Sequence, residues 1–548
     1  MESQRSLLFI ALLVVSYLLY SQWQLDKAPK IQEETSTQSV VKSVNDNDYI
    51  PQASEPNSPQ SEKISAIANI IDVKTDVLEL KINTQGGDVV EAKLLKYNTK
   101  LNNGIPFTLM HNGAFTYIAQ SGLIGSNGLD QIVAGRPIYQ TNKTQYVLSE
   151  NQHELIVDLT YQDQNTLSVT KRFTFSRKSY SVKIDYIINN NSSQNATVQL
   201  YGQLKQTIDV PKKSGMMPTS AYRGAAYSSN EDRYNKFKFG DFEDEKLNIT
   251  TTGGWVAMIE HYFVSSWIPK DSGNNQLYSS YTQNGEAIIG FKEPALTITA
   301  NNSATTSAVL YLGPKDINEM ANIADGLDLT IDYGFLFMIS KPLFWLLTHI
   351  HDLVGNWGIA IIVITLIVKG GMYPLTKIQY TSMARMRELQ PKMAALKDRF
   401  GDDRQKMSQA TMALYKKEKV NPAGGCFPLL LQMPIFLALY WVFLESIELR
   451  HAPFFLWIQD LSAMDPYYVL PVLMGISMFV MQKMQPVTVQ DPMQQKIMKY
   501  MPVVFSVFMA WFPSGLVLYW LVSNLISITQ MKIIFSGIEK NKKALAVS

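Results

Sequence analysis

Lys369 is the one charged side chain in the run Gly358–Pro374 (GIAIIVITLIVKGGMYP), which is long enough to cross much of a bilayer. An ionisable group at the centre of a membrane helix costs about 2.5–3.5 kcal/mol on insertion scales. Thr365 lies one turn earlier, so the two share a helix face. The chemistry open to a lone cation there is electrostatic: it attracts an anionic group that enters the membrane. The plainer alternative is that the long lysine stem lies along apolar surface and carries the ammonium to the nearby interface. By itself, the position of Lys369 near the end of its run favours that alternative.

The later apolar runs change the balance. Their polar residues are Gln432, Ser477, Gln482, Ser506, Ser523, Asn524, Ser527 and Gln530. Under the topology derived below, nearly all sit at mid-membrane or in the inner half, and the outer half is apolar and aromatic. Trp520, Asn524 and Ser527 repeat at three- and four-residue spacing and share a face. Hydrogen bonding between helices accounts for single Ser, Thr and Asn residues but not for the asymmetry. A hydrated pocket open to the cytoplasm and closed on the outer side accounts for it and keeps Lys369 charged.

Other chemistry is scarce. The chain has 548 residues, net charge +2 and a single cysteine, Cys426, which excludes an intramolecular disulfide and a cysteine metal cluster. No phosphate-cradling glycine loop, zinc-spaced histidine pair or nucleophile elbow is found, and no cofactor is expected. His111, His153 and His261 are far apart in sequence and read as structural. Trp255, Tyr262, Phe263 and Trp267 could line a sugar site, but core packing explains them better. His349, His351 and Asp352 form only a weak metal signal, and interfacial polar residues explain them better.

The elements that must position these groups follow in chain order. Residues 1–23 read as an uncleaved membrane anchor: Arg5 precedes the apolar run Leu7–Tyr20, and a bulky exit lacks a small-residue cleavage site. Residues 24–62, rich in Ser, Gln, Asn, Glu and Pro, read as a disordered tether. Residues 63–330 switch to period two, as in Val77–Asn83, Leu167–Phe175 and Ser181–Ile188, with turn clusters such as Gln85-Gly86-Gly87-Asp88. This pattern predicts a large antiparallel sandwich. Residues 331–354 are aromatic and broken by Lys341-Pro342. A crossing there would place the basic loop that follows on the outer side, so the segment reads as an amphipathic helix in the outer interface.

Residues 355–375 form the second span, running inward. Residues 376–422 are strongly basic, and Gly401-Asp402-Asp403 supplies a helix stop and an N-cap, which predicts a helical hairpin. Its apolar positions Met383, Met386, Met393, Met407 and Met412 suit varied partners, and equally an ordinary two-helix core with a solvated basic face. Residues 423–535 supply four more spans, and 536–548 form a basic tail. The topology is six spans with both termini cytoplasmic and residues 24–354 outside. The expected class is a membrane α-helical bundle plus an all-β domain.

The stretches MYPLTKIQYTSMARMR (Met372–Arg387), NPAGGCFPLLLQMPIFLALY (Asn421–Tyr440), DPYYVLP (Asp465–Pro471), DPMQQKIMKYMP (Asp491–Pro502) and FPSGLVLYW (Phe512–Trp520) cover the last 200 or so residues densely. On these motifs the chain resembles the YidC/Oxa/Alb family of membrane protein insertases in its Gram-negative form, with an anchor and a large periplasmic domain. The resemblance implies insertion of proteins into the bacterial inner membrane, alone or beside the Sec translocon, without nucleotide hydrolysis. It implies a core of five spans and a periplasmic super-sandwich similar to galactose mutarotase, with no enzymatic role. Nascent membrane proteins would be clients. The Sec translocon and its accessory subunits, the ribosome, the signal-recognition targeting machinery and the lipid bilayer would be partners.

Carried onto this sequence, the resemblance makes Lys369 the groove charge and Thr365, Gln432, Ser506, Tyr519, Trp520, Asn524 and Ser527 the groove's polar lining. Met433, Phe436 and Phe508 become the apolar slide by which a client leaves to lipid. Arg385, Arg387, Lys392, Arg399 and Arg404 become partner contacts on the hairpin. The family usually has arginine at Lys369, so a mechanism of charge attraction survives but one needing a guanidinium fork does not. Tyr519-Trp520 stands where the family often has two tyrosines. Two rival readings are a small-solute transporter with a periplasmic binding domain and a membrane-anchored carbohydrate enzyme. The first lacks internal repeats and an outer polar path; the second lacks a carboxylate or histidine pair.

Overall fold

The computed structural model describes residues 49–53, 69–130, 135–162, 167–208, 222–270, 273–400, 403–418, 420, 427–485 and 492–547. The expected anchor, most of the tether and Cys426 lie outside them. The chain divides into two compact units: Val44–Phe344 with Ala438–Ser462 in one, and Trp345–Leu437 with Ala463–Ser548 in the other.

The first unit is all-β, built on an 11-stranded and an 8-stranded sheet. Alternation places one face of each strand inside. In Leu167–Ser176, Leu167, Val169, Phe173 and Phe175 are buried, and Lys171 shares their register at 0% exposure. This strand pairs antiparallel with Ser181–Asn190, which pairs with Ser303–Pro314. On the other sheet, Thr116–Ile124 pairs with Ala196–Thr207, which pairs with Glu286–Lys292. Three of the four aromatic residues considered for a sugar site are core: Trp255, Phe263 and Trp267 are buried, and the two indoles donate to Asp325 O (3.0 Å) and Gln203 O (3.1 Å), while Tyr262 is half-buried and stacks on His261 at 3.8 Å.

A charged network lies inside this sandwich. Arg136 donates to Asp88 Oδ2 (2.5 Å), Asp130 Oδ1 (2.8 Å) and Ser121 O (2.8 Å). Lys171 reaches from its own sheet to Gly86 O (2.9 Å) and Ser121 O (3.0 Å). Its ammonium lies 5.4 Å and 5.3 Å from the Phe173 and Tyr186 rings. Burial pulls Lys171 below the usual lysine range. The Gly86-Gly87 turn caps both cations, with φ of +71° and +65°. A Cβ on Gly86 would meet Arg136 Cζ at 2.4 Å, and one on Gly87 would meet Lys171 Cδ at 2.8 Å. Glycine is thus required for space as well as for φ.

Segment Ala438–Ser462 belongs to this unit. Lys315 and Glu445 pair at 3.2 Å with side chains 0% and 1% exposed. His261 Nε2 lies 2.9 Å from Leu444 O, and Arg450 donates to Asn98 O (2.5 Å). The short helix α1 (Ile317–Ile323) is capped by Asp316, which accepts from Asn318 N and Glu319 N. The tether reading needs one correction: Tyr49–Ala53 are seated on the sandwich, with Ile50 buried against Ile124 and Tyr201.

The second unit is helical. Helix α2 (Phe337–Val354) carries Pro342 and contributes its later residues here. Asn356 caps α3 (Trp357–Gly371) through Ile359 N at 3.0 Å. Helix α4 (Tyr373–Glu388) follows at a 67° bend, with Pro374 in its first turn. The hairpin is α5 (Gln390–Phe400) and α6 (Arg404–Lys417), and Asp403 is the N-cap, accepting from Gln405 N and Lys406 N. The remaining helices are α7 (Phe427–Glu445), of which only the residues up to Leu437 belong to this unit, α8 (Val469–Met484), α9 (Pro492–Met509) and α10 (Ser514–Val547). The basic tail continues α10 rather than leaving it. Among the described helices, only the α10 segment Ser514–Lys540 is alone long and apolar enough to cross a membrane; α3 and α4 pass that test together, across their bend. Shorter apolar helices are Gln432–Glu445, Val469–Met484 and Lys499–Met509.

Candidate functional site

The buried face of α3 carries Gly358, Ile361, Thr365 and Lys369, one per turn. It packs on α10, whose buried residues include Tyr519, Ser523, Asn524, Ser527 and Gln530. Lys369 Nζ donates to Ser527 Oγ at 3.0 Å, and Gln530 Nε2 donates to Lys369 O at 3.4 Å. Lys369 is only 5% exposed. A snorkelling lysine would hold its ammonium in water; this one spends it on a neighbouring helix. No carboxylate of the described residues comes within 4.0 Å of it. One turn further up α10, Asn524 donates to Ser477 Oγ (3.0 Å), and Ser477 donates to Met474 O (2.6 Å).

Above this polar layer sits an aromatic one with Trp520 at its centre. Phe436 of α7 meets Trp520 edge-on at 4.7 Å and lies 6.4 Å from Tyr519. Phe505 of α9 lies 5.1 Å from Trp520 on another side, and the row continues through Phe508 to Phe512. The Trp520 indole N–H and Gln530 Oε1 are buried without a hydrogen-bond partner among the described residues. Such groups cost stability unless something meets them, so α10 keeps one donor at Trp520 and, nearly three turns further along, one acceptor at Gln530.

The expected lining residues separate into three groups. Lys369 and Ser527 meet directly, whereas Asn524 bonds Ser477 of α8 and Trp520 belongs to the aromatic layer. Thr365 and Ser506 have their hydroxyls satisfied within the bundle: Thr365 bonds Ile361 O in its own helix (2.5 Å), and Ser506 bonds Pro471 O of α8 (2.7 Å). Gln432 is half-buried, Tyr519 is buried beside Phe436, and Met433 and Phe508 are 45% and 40% exposed. Ser477 and Gln530, absent from the expected lining, bond Asn524 and the Lys369 carbonyl; for Gln530 the three-residue spacing Asn524, Ser527, Gln530 was the available signal.

On the hairpin, Arg385, Arg387, Lys392 and Arg399 are exposed; Lys392 pairs with Glu418 at 2.5 Å. The Arg404 side chain lies outside the described ones. Met383 and Met386 pack with Tyr380, Leu389, Val420, Met531 and Ile534, an ordinary core at the hairpin base, whereas Met412 is exposed. His349 bonds the carbonyl of Trp345 in its own helix, and His351 stacks on Trp357 at 3.9 Å.

An all-β domain joined in sequence to a unit of apolar helices that buries Lys369 among polar side chains is the make-up of a membrane protein with a large β domain. Residues 70–346 match the family described as YidC periplasmic domain, and residues 349–542 match that described as 60Kd inner membrane protein. The chain is 53% identical over 544 residues to the membrane protein insertase YidC of Shewanella frigidimarina, covering 99% of both chains. It is 53% identical to that of Haemophilus influenzae, covering 98% of both. A crystal structure described as active YidC insertase with the first transmembrane domain resolved shares 20% identity at a TM-score of 0.37, covering 86% of this chain and 92% of that one. The chain belongs to the YidC family of membrane protein insertases, proteins of the bacterial inner membrane whose function is not enzymatic.

Proposed function

We propose that the chain inserts nascent membrane proteins by drawing their hydrophilic outer flank, often acidic, to Lys369 from the cytoplasmic side. The observation that carries this is a buried ammonium held by one hydroxyl, Ser527, with no carboxylate of the described residues within 4.0 Å. An incoming carboxylate supplies the counter-charge that the protein withholds. Ser527, Gln530, Asn524 and the Trp520 indole offer hydrogen bonds to the flank, with Gln432 at the margin; Thr365 and Ser506 hold the helices that shape the site. The client's apolar span then leaves to lipid along Met433, Phe436 and Phe508. Burial of the span drives insertion, with about 2.3 kcal/mol per charge per 100 mV for a negative flank moving outward.

On this reading the chain crosses the membrane six times with both termini cytoplasmic, which would bring the exposed Arg385, Arg387, Lys392 and Arg399 to the side where the ribosome and the signal-recognition machinery arrive. The same topology allows action beside the Sec translocon. The test is insertion of a single-span protein with an acidic outer flank into proteoliposomes. Lys369→Ala is expected to lose at least tenfold in insertion and Lys369→Arg to retain it. Full activity of Lys369→Ala would remove the charge from the mechanism.

A further inference from the structure

Tyr49–Ala53 belong to no strand of either sheet, yet they are seated on the 11-stranded one. Gln203 Nε2 donates to Tyr49 O at 2.9 Å, and Lys292 Nζ donates to Gln52 O at 3.0 Å. Between these two carbonyls, Ile50 enters a pocket formed by Ile124 and Tyr201 and is 8% exposed. The Tyr49 phenol meets the Ser280 side chain. The receptor groups are set by the sandwich itself. Gln203 is 0% exposed, its amide oxygen accepts from Tyr278 (2.7 Å), and its amide nitrogen also donates to Gln120 (2.9 Å). Gln120 is fixed in turn by Asp88 at 2.8 Å.

Two side-chain donors thus read main-chain carbonyls three residues apart, and one pocket reads an apolar side chain between them. This is sequence-tolerant recognition of an extended peptide. Pro51 keeps the segment extended and withdraws one N–H that the site does not use. The contact involves few groups and no strand ladder, which makes it exchangeable.

We propose that this face of the sheet is a docking site for extended polypeptide and that Tyr49–Ala53 is its ligand in cis. The exchange partner is an extended segment with a β-branched or similar apolar residue, such as the translocated flank of a client. That last step rests on the insertase reading, but peptide docking does not.

The chain from residue 54 to 69 is short, so the cis segment competes at an effective concentration of about millimolar. The test uses the full chain in detergent and a fluorescein-labelled peptide of residues 47–54 (NDYIPQAS), read by anisotropy. Ile50→Asp, which loosens the cis segment, is expected to bind the peptide at least tenfold more tightly than the parent. Adding Lys292→Ala to Ile50→Asp is expected to reverse at least threefold of that gain, and a peptide with Asp in place of Ile is expected not to bind. The milder Ile50→Gly is expected to act in the same direction. Equal affinity of parent, Ile50→Asp and Ile50→Gly would overturn the proposal, as would equal binding of the Asp-containing peptide. Neither result depends on insertion activity, so failure here and failure of the insertase reading are distinguishable.

Discussion

Lys171 and Lys369 are both buried lysines, at 0% and 5% exposure, and their surroundings differ in kind. Lys171 has two carbonyls, two aromatic faces and a network in which Arg136 is matched by Asp88 and Asp130. Two cations and two carboxylates close the charge. Lys369 has one hydroxyl and no carboxylate of the described residues within 4.0 Å. A fully matched buried network fixes one arrangement of the sheets around it, and removing one member strands the rest. An unmatched buried cation adds nothing comparable to stability. It is retained at a cost, which is the pattern expected where a residue serves a client rather than the fold.

The comparison can be broken most sharply on the Lys171 side. Arg136→Met leaves Asp88 and Asp130 buried without their cation, and is expected to destabilise the β domain by about 3–5 kcal/mol. Hydrogen exchange of the Leu167–Ser176 amides in the full chain measures it; a loss under 1 kcal/mol would make the network dispensable. Gly87→Ala puts a methyl group 2.8 Å from Lys171 Cδ at φ +65°. The expected cost is about 1–3 kcal/mol by the same exchange measurement.

A third test concerns pH. Burial lowers His261 to about 4 from an ordinary 6.5, against a hydrogen bond to the Leu444 carbonyl that raises it. Between these values the unfolded chain binds the proton and the folded chain does not. Stability is therefore full above pH 6.5 and falls as pH drops toward 4, by about 1 kcal/mol or more. His261→Gln should flatten that part of the stability–pH curve measured by denaturant unfolding; an unchanged curve would place the titration elsewhere. The smallest effect is expected at the other lysine. Lys369→Met should leave exchange of the Trp357–Gly371 amides unchanged or slightly slower, within about 1 kcal/mol, because an apolar residue replaces a charge that lacks a counter-ion. Marked destabilisation would make Lys369 a structural residue and erase the contrast.

Much of the architecture was legible from periodicity. Alternation marked the strands Leu78–Asn83, Leu167–Ser176 and Ser181–Asn190, and Gly401-Asp402-Asp403 marked the break with its N-cap at Asp403. That Asn524 and Ser527 share one buried face was legible from helix spacing. The partners of Thr365 and Ser506 were not legible, since a hydroxyl in an apolar run has a carbonyl of its own or a neighbouring helix as a ready partner. The Lys171 network was missed. Its only local sign was a lysine in the inward register of LSVTKRFTF, and an isolated polar residue there does not disclose what it meets.

The sequence by itself determined which halves would be sheet and helix, that Lys369 would sit in an apolar run, and which family the C-terminal motifs resemble. These follow from local periods of two and 3.6 residues and from short contiguous motifs, which need no knowledge of the rest of the chain. Only the tertiary structure decided that Lys171 meets Gly86 from 85 residues away, that Lys369 meets Ser527 across 158, and that Tyr49 lies on Gln203 across 154. Such partners are fixed by strand register and helix packing, which bring distant residues together at a precision that no local pattern encodes.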